Sequence, residues 1–357
     1  ASMAAMLEGA EVSWNRLTPG DLHPLEKYMR FYYLKPDYFT CEIQQQGRKK
    51  AQSEKLTREL LQTRLNLLPR GIVPNEAAHL TAFVDTHDEL LYWMVLAVSR
   101  DLTAWVIDYG TWPEQSSRLF TLRGATQTIS RRHQGLPQDE AIIAAHLELD
   151  AYLFGRDWRR ANGHAIKIGR MGKDAGYKLD LIHKVIGMSV HKELIRPSLG
   201  RTYRAGRPRV HQSKIVTKGI DDHTGPDWIL RYQQANNLMR TIFDHNRWKT
   251  AAALGLCTTP GAVGSITMYG DIIREHQLLL DHFLAESRKP DVGGGEQIDI
   301  WTNGTNHPDN HWWDCLVGCL VAASQLGALA SGQERHGITV PRREVEVPSW
   351  MLAGGRL

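Results

Sequence analysis

Three stretches put aspartates where apolar runs begin or end. "LTAFVDTHDE" carries Asp85, "IKIGRMGKDAGY" carries Asp174, and "DNHWWDCLVGCLVAAS" carries Asp309 and Asp314. An acid at a strand end points into whatever cleft opens above the sheet. An acid in the first turn of a helix is favoured by the helix dipole, which suits Asp314, with Asp309 capping the turn before it. Carboxylates crowded together repel unless a cation lies between them. Hard oxygen ligands suit Mg²⁺ or Mn²⁺, and two such ions would activate water and stabilise the leaving oxygen in phosphodiester hydrolysis.

Each acid also has a plain structural use. Asp85 could cap the turn to the next strand, and Asp309 could serve only as a helix cap. Asp180 falls inside a helical pattern and is expected to face solvent or pair with Lys184 one turn on. His87, His307 and His311 lie close to these acids, but the chain has 16 histidines, so proximity alone favours supporting roles over ligation. No HExxH is present, and "GRMGKDAG" lacks the spacing and hydroxyl of a phosphate loop, so ATP hydrolysis is not expected of this chain.

A second group is cationic. "IRPSLGRTYRAGRPRVHQSK" holds Arg196, Arg201, Arg204, Arg207, Arg209 and Lys214 with no acid among them. Its glycines and prolines predict a loop or ribbon able to track a phosphate backbone, and Lys173 is a further candidate phosphate contact. Nothing resembles a base-reading module, so binding is expected to depend on salt more than on sequence.

The elements that must carry these groups read as an α/β plan. "LTAFVD", "LLYWMVLAVS" and "LTAWVIDYG" are three apolar runs joined by short polar turns, hence consecutive antiparallel strands. Helices are predicted over about 138–153, 177–189, 228–243 and 271–286, and after Asp314, with strands at "HAIKIGRMGKD" and "QIDIWT". Leu56, Leu60, Leu61 and Leu65 give an apolar face to a helix within 47–66. Residues 1–50 are punctuated by Pro19, Pro24 and Pro36, and 329–357 read as a tail. At 357 residues the chain can bury one large core. The formal charge of +4 permits a nucleic-acid partner without arguing for one. Cys41, Cys257, Cys315 and Cys319 make no disulfide ladder and predict a reducing, cytoplasmic setting, with Cys315 and Cys319 acting as small buried hydrophobes. No run of about 18 apolar residues predicts a membrane span.

Taken together, "LNLLPRGIVP", "LTAFVDTHDELLYW", "VIDYGTWP", "KDAGYKLDLI", "DHNRWKTA" and "DNHWWDCLVGCLVAAS" resemble, in order and spacing across about 65–325, the nuclease part of large terminase subunits from tailed bacteriophages. The resemblance implies an RNase H-like mixed sheet with flanking helices and a basic insertion near 200–230. It implies a metal-dependent endonuclease that cuts concatemeric viral DNA during packaging. Asp85, Asp174 and Asp314 match the family's catalytic acids, with Asp309 secondary. The implied partners are double-stranded DNA, a terminase ATPase domain, the small terminase subunit and the portal protein. The family's usual ATPase motor has no counterpart here, which implies an isolated nuclease domain or a piece of a longer chain. Residues 1–64 would then be an arm and helix leading from that motor, and 65–328 the nuclease domain. The rival readings are a non-catalytic DNA-binding or motor-interaction module and a junction resolvase of the same superfamily.

Overall fold

The computed structural model describes residues 55–207, 223–233 and 237–330. The aromatic arm, the amino-terminal part of the first helix, Arg209, Lys214 and the tail beyond 330 lie outside the described residues. In chain order the elements are α1 (Arg58–Gln62), β1 (Ile72–Val73), β2 (His79–Thr86), β3 (Leu91–Val98), β4 (Ala104–Trp112), α2 (Ile129–Arg132) and α3 (Gln138–Gly155). Next come β5 (Arg159–Arg160), β6 (Arg170–Asp174), α4 (Leu179–Met188), β7 (Ile195–Arg201), β8 (His223–Gly225), β9 (Trp228–Gln233) and β10 (Leu238–Asp244). The series closes with α5 (His245–Cys257), β11 (Ile266–Met268), α6 (Gln277–Leu284), β12 (Glu286–Gly293), β13 (Glu296–Asn303) and α7 (His311–Gln325).

Nine strands form one mixed sheet in the order β11-β4-β3-β2-β6-β7-β10-β9-β8. The three apolar runs form the antiparallel meander β2–β3–β4, as their turn signals predict. β6 then adds to β2 in parallel, and β7 to β6. Strands this deep in a two-faced sheet are buried throughout: every residue of β3 is buried.

Side chains alternate across the sheet, so each central strand feeds two cores. On one face Val84, Trp93 and Met171 pack under α3 and α4 with Leu149, Ile182 and Val185. On the other, Phe83, Met94 and Leu96 meet α5, α6 and α7 through Trp248, Phe283 and Leu316. Leu61 of α1 is fully buried in that second core. Phe83 lies in a slot between two glycines: a Cβ on either Gly172 or Gly318 would overlap its ring. The missing side chains let α7 lie close against β2 and β6. Cys315 and Cys319 face the sheet, fully buried, as their helical spacing predicts.

Two expectations need correction. Residues 228–243 are not a helix but the antiparallel pair β9–β10, held by pairing from Leu238↔Gln233 to Phe243↔Trp228. The basic stretch opens as a strand, since 195–201 is β7, parallel to both β6 and β10. It is irregular over 202–207, where Ala205 N–H donates to Asp291 of the β12–β13 hairpin at 3.0 Å.

Candidate metal centre

Register brings the first two acids together. Val84 pairs with Lys173, so the next residues on these parallel strands, Asp85 and Asp174, lie side by side at their carboxyl ends. Both project toward the α7 face. α7 then brings His311 and Asp314, three residues apart and so on one side of the helix.

Asp85 Oδ2 is 2.9 Å from His311 Nδ1 and 3.1 Å from His87 Nε2, and those two nitrogens are 2.8 Å apart. Among the described residues these three form a group whose ligand atoms all lie within 4.8 Å of one another. Two imidazoles, once deprotonated, and a carboxylate would offer converging lone pairs, so the donor chemistry fits a divalent ion. Burial works against charge on Asp85, yet His87 and His311 beside it hold its carboxyl well below the usual range. Burial likewise opposes charge on His311, but the carboxylates of Asp309 and Asp85 push it up to about 9.

Asp174 has no such partner. Burial, with the negative charges of Asp85 and then Asp314, pushes its carboxyl up to about 7. Among the described residues the hydrogen bonds it accepts come from backbone: Gly176 N–H donates to Oδ1 at 3.3 Å. Asp314 is compensated differently. Burial raises its carboxyl, but Lys249 at 2.9 Å and His245 at 3.1 Å bring it below its ordinary value. Asn310 Nδ2 donates to its other oxygen at 3.0 Å. Lys249 is buried and also bonds Glu286.

Asp309 does not cap α7. The cap position belongs to Asn310, and Asp309 Oδ2 instead accepts the Leu122 backbone N–H at 2.7 Å. Its Oδ1 lies 3.7 Å from His311 Nε2, the ring nitrogen turned away from Asp85. The Leu122 hydrogen bond ties the 119–125 segment to Asp309, and Leu122 and Arg123 line a cavity on either side of it. On one side is a cavity of about 560 Å³ lined by Asp85, His87, Asp174 and Tyr177; on the other, one of about 660 Å³ lined by Asp309, His311 and His282.

Two proposed phosphate contacts change role. Lys173 is fully buried on the opposite face, where Nζ donates to Asp150 at 2.5 Å and to His146 Nδ1 at 3.1 Å. Side-chain alternation forces this, because its neighbour Asp174 faces the other way. Arg196 is a half-buried strand residue whose guanidinium donates to the carbonyl of Ile195 at 2.9 Å. Arg201, Arg204 and Arg207 are exposed, and Arg204 lies 3.6 Å from Asp291. Asp180 is exposed, as expected.

The family described as "Terminase large subunit gpA, endonuclease domain" matches residues 46–334. The chain belongs to it. No curated protein and no solved structure matches the chain. The mixed sheet flanked by helices is the RNase H-like architecture expected of a terminase nuclease domain. Among the described residues no helix is long and apolar enough to cross a membrane.

His87, His311 and Lys249 are the residues that the sequence left in supporting roles or unassigned. A signal existed for His311 and Lys249. His311 precedes Asp314 by three residues on a helix, and Lys249 follows His245 by four, so each pair shares a helical face.

Proposed function

We propose that this terminase nuclease domain is a Mg²⁺- or Mn²⁺-dependent endonuclease that cuts concatemeric double-stranded viral DNA during packaging, with little sequence preference. The observation that carries the reading is the convergence of Asp85, His87 and His311, with Asp174 beside Asp85 at the adjoining strand end. Asp85 and Asp174 would hold one or two divalent ions, with Asp314 completing the site from α7. Bound there, such an ion supplies Lewis acidity at a phosphoryl oxygen and lowers the pKa of water.

The chain's own groups do the rest. Asp309 faces the outer nitrogen of His311 and would orient that ring. Lys249 keeps Asp314 ionised and fixed. Exposed Arg201, Arg204 and Arg207, with Arg209 and Lys214, would contact phosphates and position the duplex without reading bases. By family likeness the partners are the terminase ATPase domain, the small subunit and the portal protein, in the host cytoplasm. ATP hydrolysis then belongs to the motor.

Supercoiled plasmid incubated with the protein and Mn²⁺ or Mg²⁺ should be nicked and linearised. Asp85→Ala should reduce the rate by at least about a thousandfold, the scale of several kcal/mol of lost transition-state stabilisation. Salt-sensitive DNA binding without cleavage by folded protein, with either ion, would favour the binding-module reading instead.

A further inference from the structure

The three ligand atoms at the centre form a triangle with edges of 3.1, 2.8 and 2.9 Å between His87 Nε2, Asp85 Oδ2 and His311 Nδ1. For metal–ligand bonds of about 2.1 Å, neighbouring ligands of an octahedron are about 3.0 Å apart, whereas those of a tetrahedron are about 3.4 Å apart. The triangle therefore has the dimensions of one face of an octahedron. Hydrogen bonding alone explains it less well. The Nε2–Nδ1 approach needs one proton between two nitrogens, while both rings also address the same carboxylate oxygen.

We infer that Asp85, His87 and His311 form a facial two-histidine, one-carboxylate site that binds a first-row transition-metal ion in preference to Mg²⁺. The inference rests on the metal-dependent reading proposed above and specifies which ions it concerns. Mg²⁺ favours oxygen donors and sheds water reluctantly, so a site that is two-thirds imidazole suits it poorly. Imidazole suits the transition metals, with affinity rising from Mn²⁺ through Co²⁺. The surroundings support ligation. His311 is 8% exposed, and its Nε2 has no hydrogen-bond partner among the described residues while it faces Asp309 at 3.7 Å. A carboxylate near the outer nitrogen is the usual means of orienting a ligating imidazole. Tyr92 packs against the His311 ring at a tilt of 35° with centroids 4.4 Å apart, which limits its rotation.

The test is direct. Metal-free full-length protein is titrated with MnCl₂ alone, and the bound ion is examined by pulsed electron paramagnetic resonance for coupling to ¹⁴N. The expected result is coupling to two imidazole nitrogens, with one lost in His87→Gln and one in His311→Gln. Mg²⁺ should displace the Mn²⁺ only at more than about a hundredfold excess, and Co²⁺ at well under equimolar free concentration. Because the wild-type spectrum carries the main readout, a variant that fails to fold does not blunt the test. Bound Mn²⁺ without nitrogen coupling, or parity between Mg²⁺ and Mn²⁺, overturns the inference and leaves a carboxylate-held nuclease intact. Folded protein that takes up no Mn²⁺ overturns both.

Discussion

Asp174 and Lys173 are neighbours on β6, yet they sit in opposite electrostatic situations. On the α3 face Lys173 meets Asp150 at 2.5 Å and His146 at 3.1 Å, and His146 reaches Thr86 at 3.3 Å. With Lys173 donating to Nδ1, the ring's Nε2–H is free to donate to Thr86, so the charged pair is closed on itself. Burial pushes Lys173 down, against the pull of Asp150, and pushes His146 well below its ordinary value. On the α7 face, Asp174 has, among the described residues, only backbone donors and two negative neighbours. One side carries its own counter-charge and is built to hold strands together; the other is short of positive charge and is built to receive it.

Breaking the closed side should cost most in stability. Asp150→Ala leaves an ammonium buried without its partner and is expected to lower stability by about 3–5 kcal/mol, measured by urea unfolding of the metal-free protein. Replacing the pair together, Asp150→Leu with Lys173→Met, should recover most of that loss, to within about 1–2 kcal/mol of wild type, because the desolvation of both charges disappears. A double variant as unstable as the single one would mean that His146 and Thr86 depend on the pair for more than charge balance.

The open side should respond in the opposite sense. The folded-state pKa of Asp174 is raised, to about 7, above its ordinary value, so the folded protein holds this proton more tightly than the unfolded chain does. Its contribution is fully present below the unfolded value and is lost as pH rises through about 7. Asp174→Asn should therefore raise the melting temperature of chelator-treated protein at pH 8, and the gain should shrink steadily as the pH falls toward 5. Saturating Mn²⁺ should reverse the ranking at pH 8 by stabilising wild type more than the variant.

The smallest effect lies outside both clusters. Arg201→Ala should weaken duplex binding about equally for unrelated sequences and reduce the salt dependence by roughly one counterion. A sequence-selective loss in fluorescence-anisotropy titrations would instead place this arginine at a base edge.

How much of this was legible depends on whether local pattern or pairing decided the outcome. The meander β2–β4 was readable because its strands are continuous apolar runs bounded by polar turns. The positions of Asp85 and Asp174 at strand ends followed. The pair β9–β10 was not readable as strands: "ILRYQQANNLMRTIF" has no glycine or proline at its bend, and its strand character comes from pairing with β7. Its one local clue is Asn237, which adopts a positive φ of 51°. Lys173 could have been placed correctly by strand alternation, since a residue next to an inward-facing Asp174 must face the other core. The His87–His311 contact could not, because it joins residues 224 positions apart through the seating of α7 on the sheet.

That seating has a genetic consequence. His311 and Asp314 reach β2 only because the Phe83 ring occupies the space that side chains at Gly172 and Gly318 would fill. A screen for alleles defective in the proposed nuclease would be expected to return Gly318→Ala alongside changes in the acids themselves, although residue 318 is buried against Phe83. Such an allele would displace two site residues at once, so a compensating change is more readily found as a smaller residue at position 83 than as any repair within the centre.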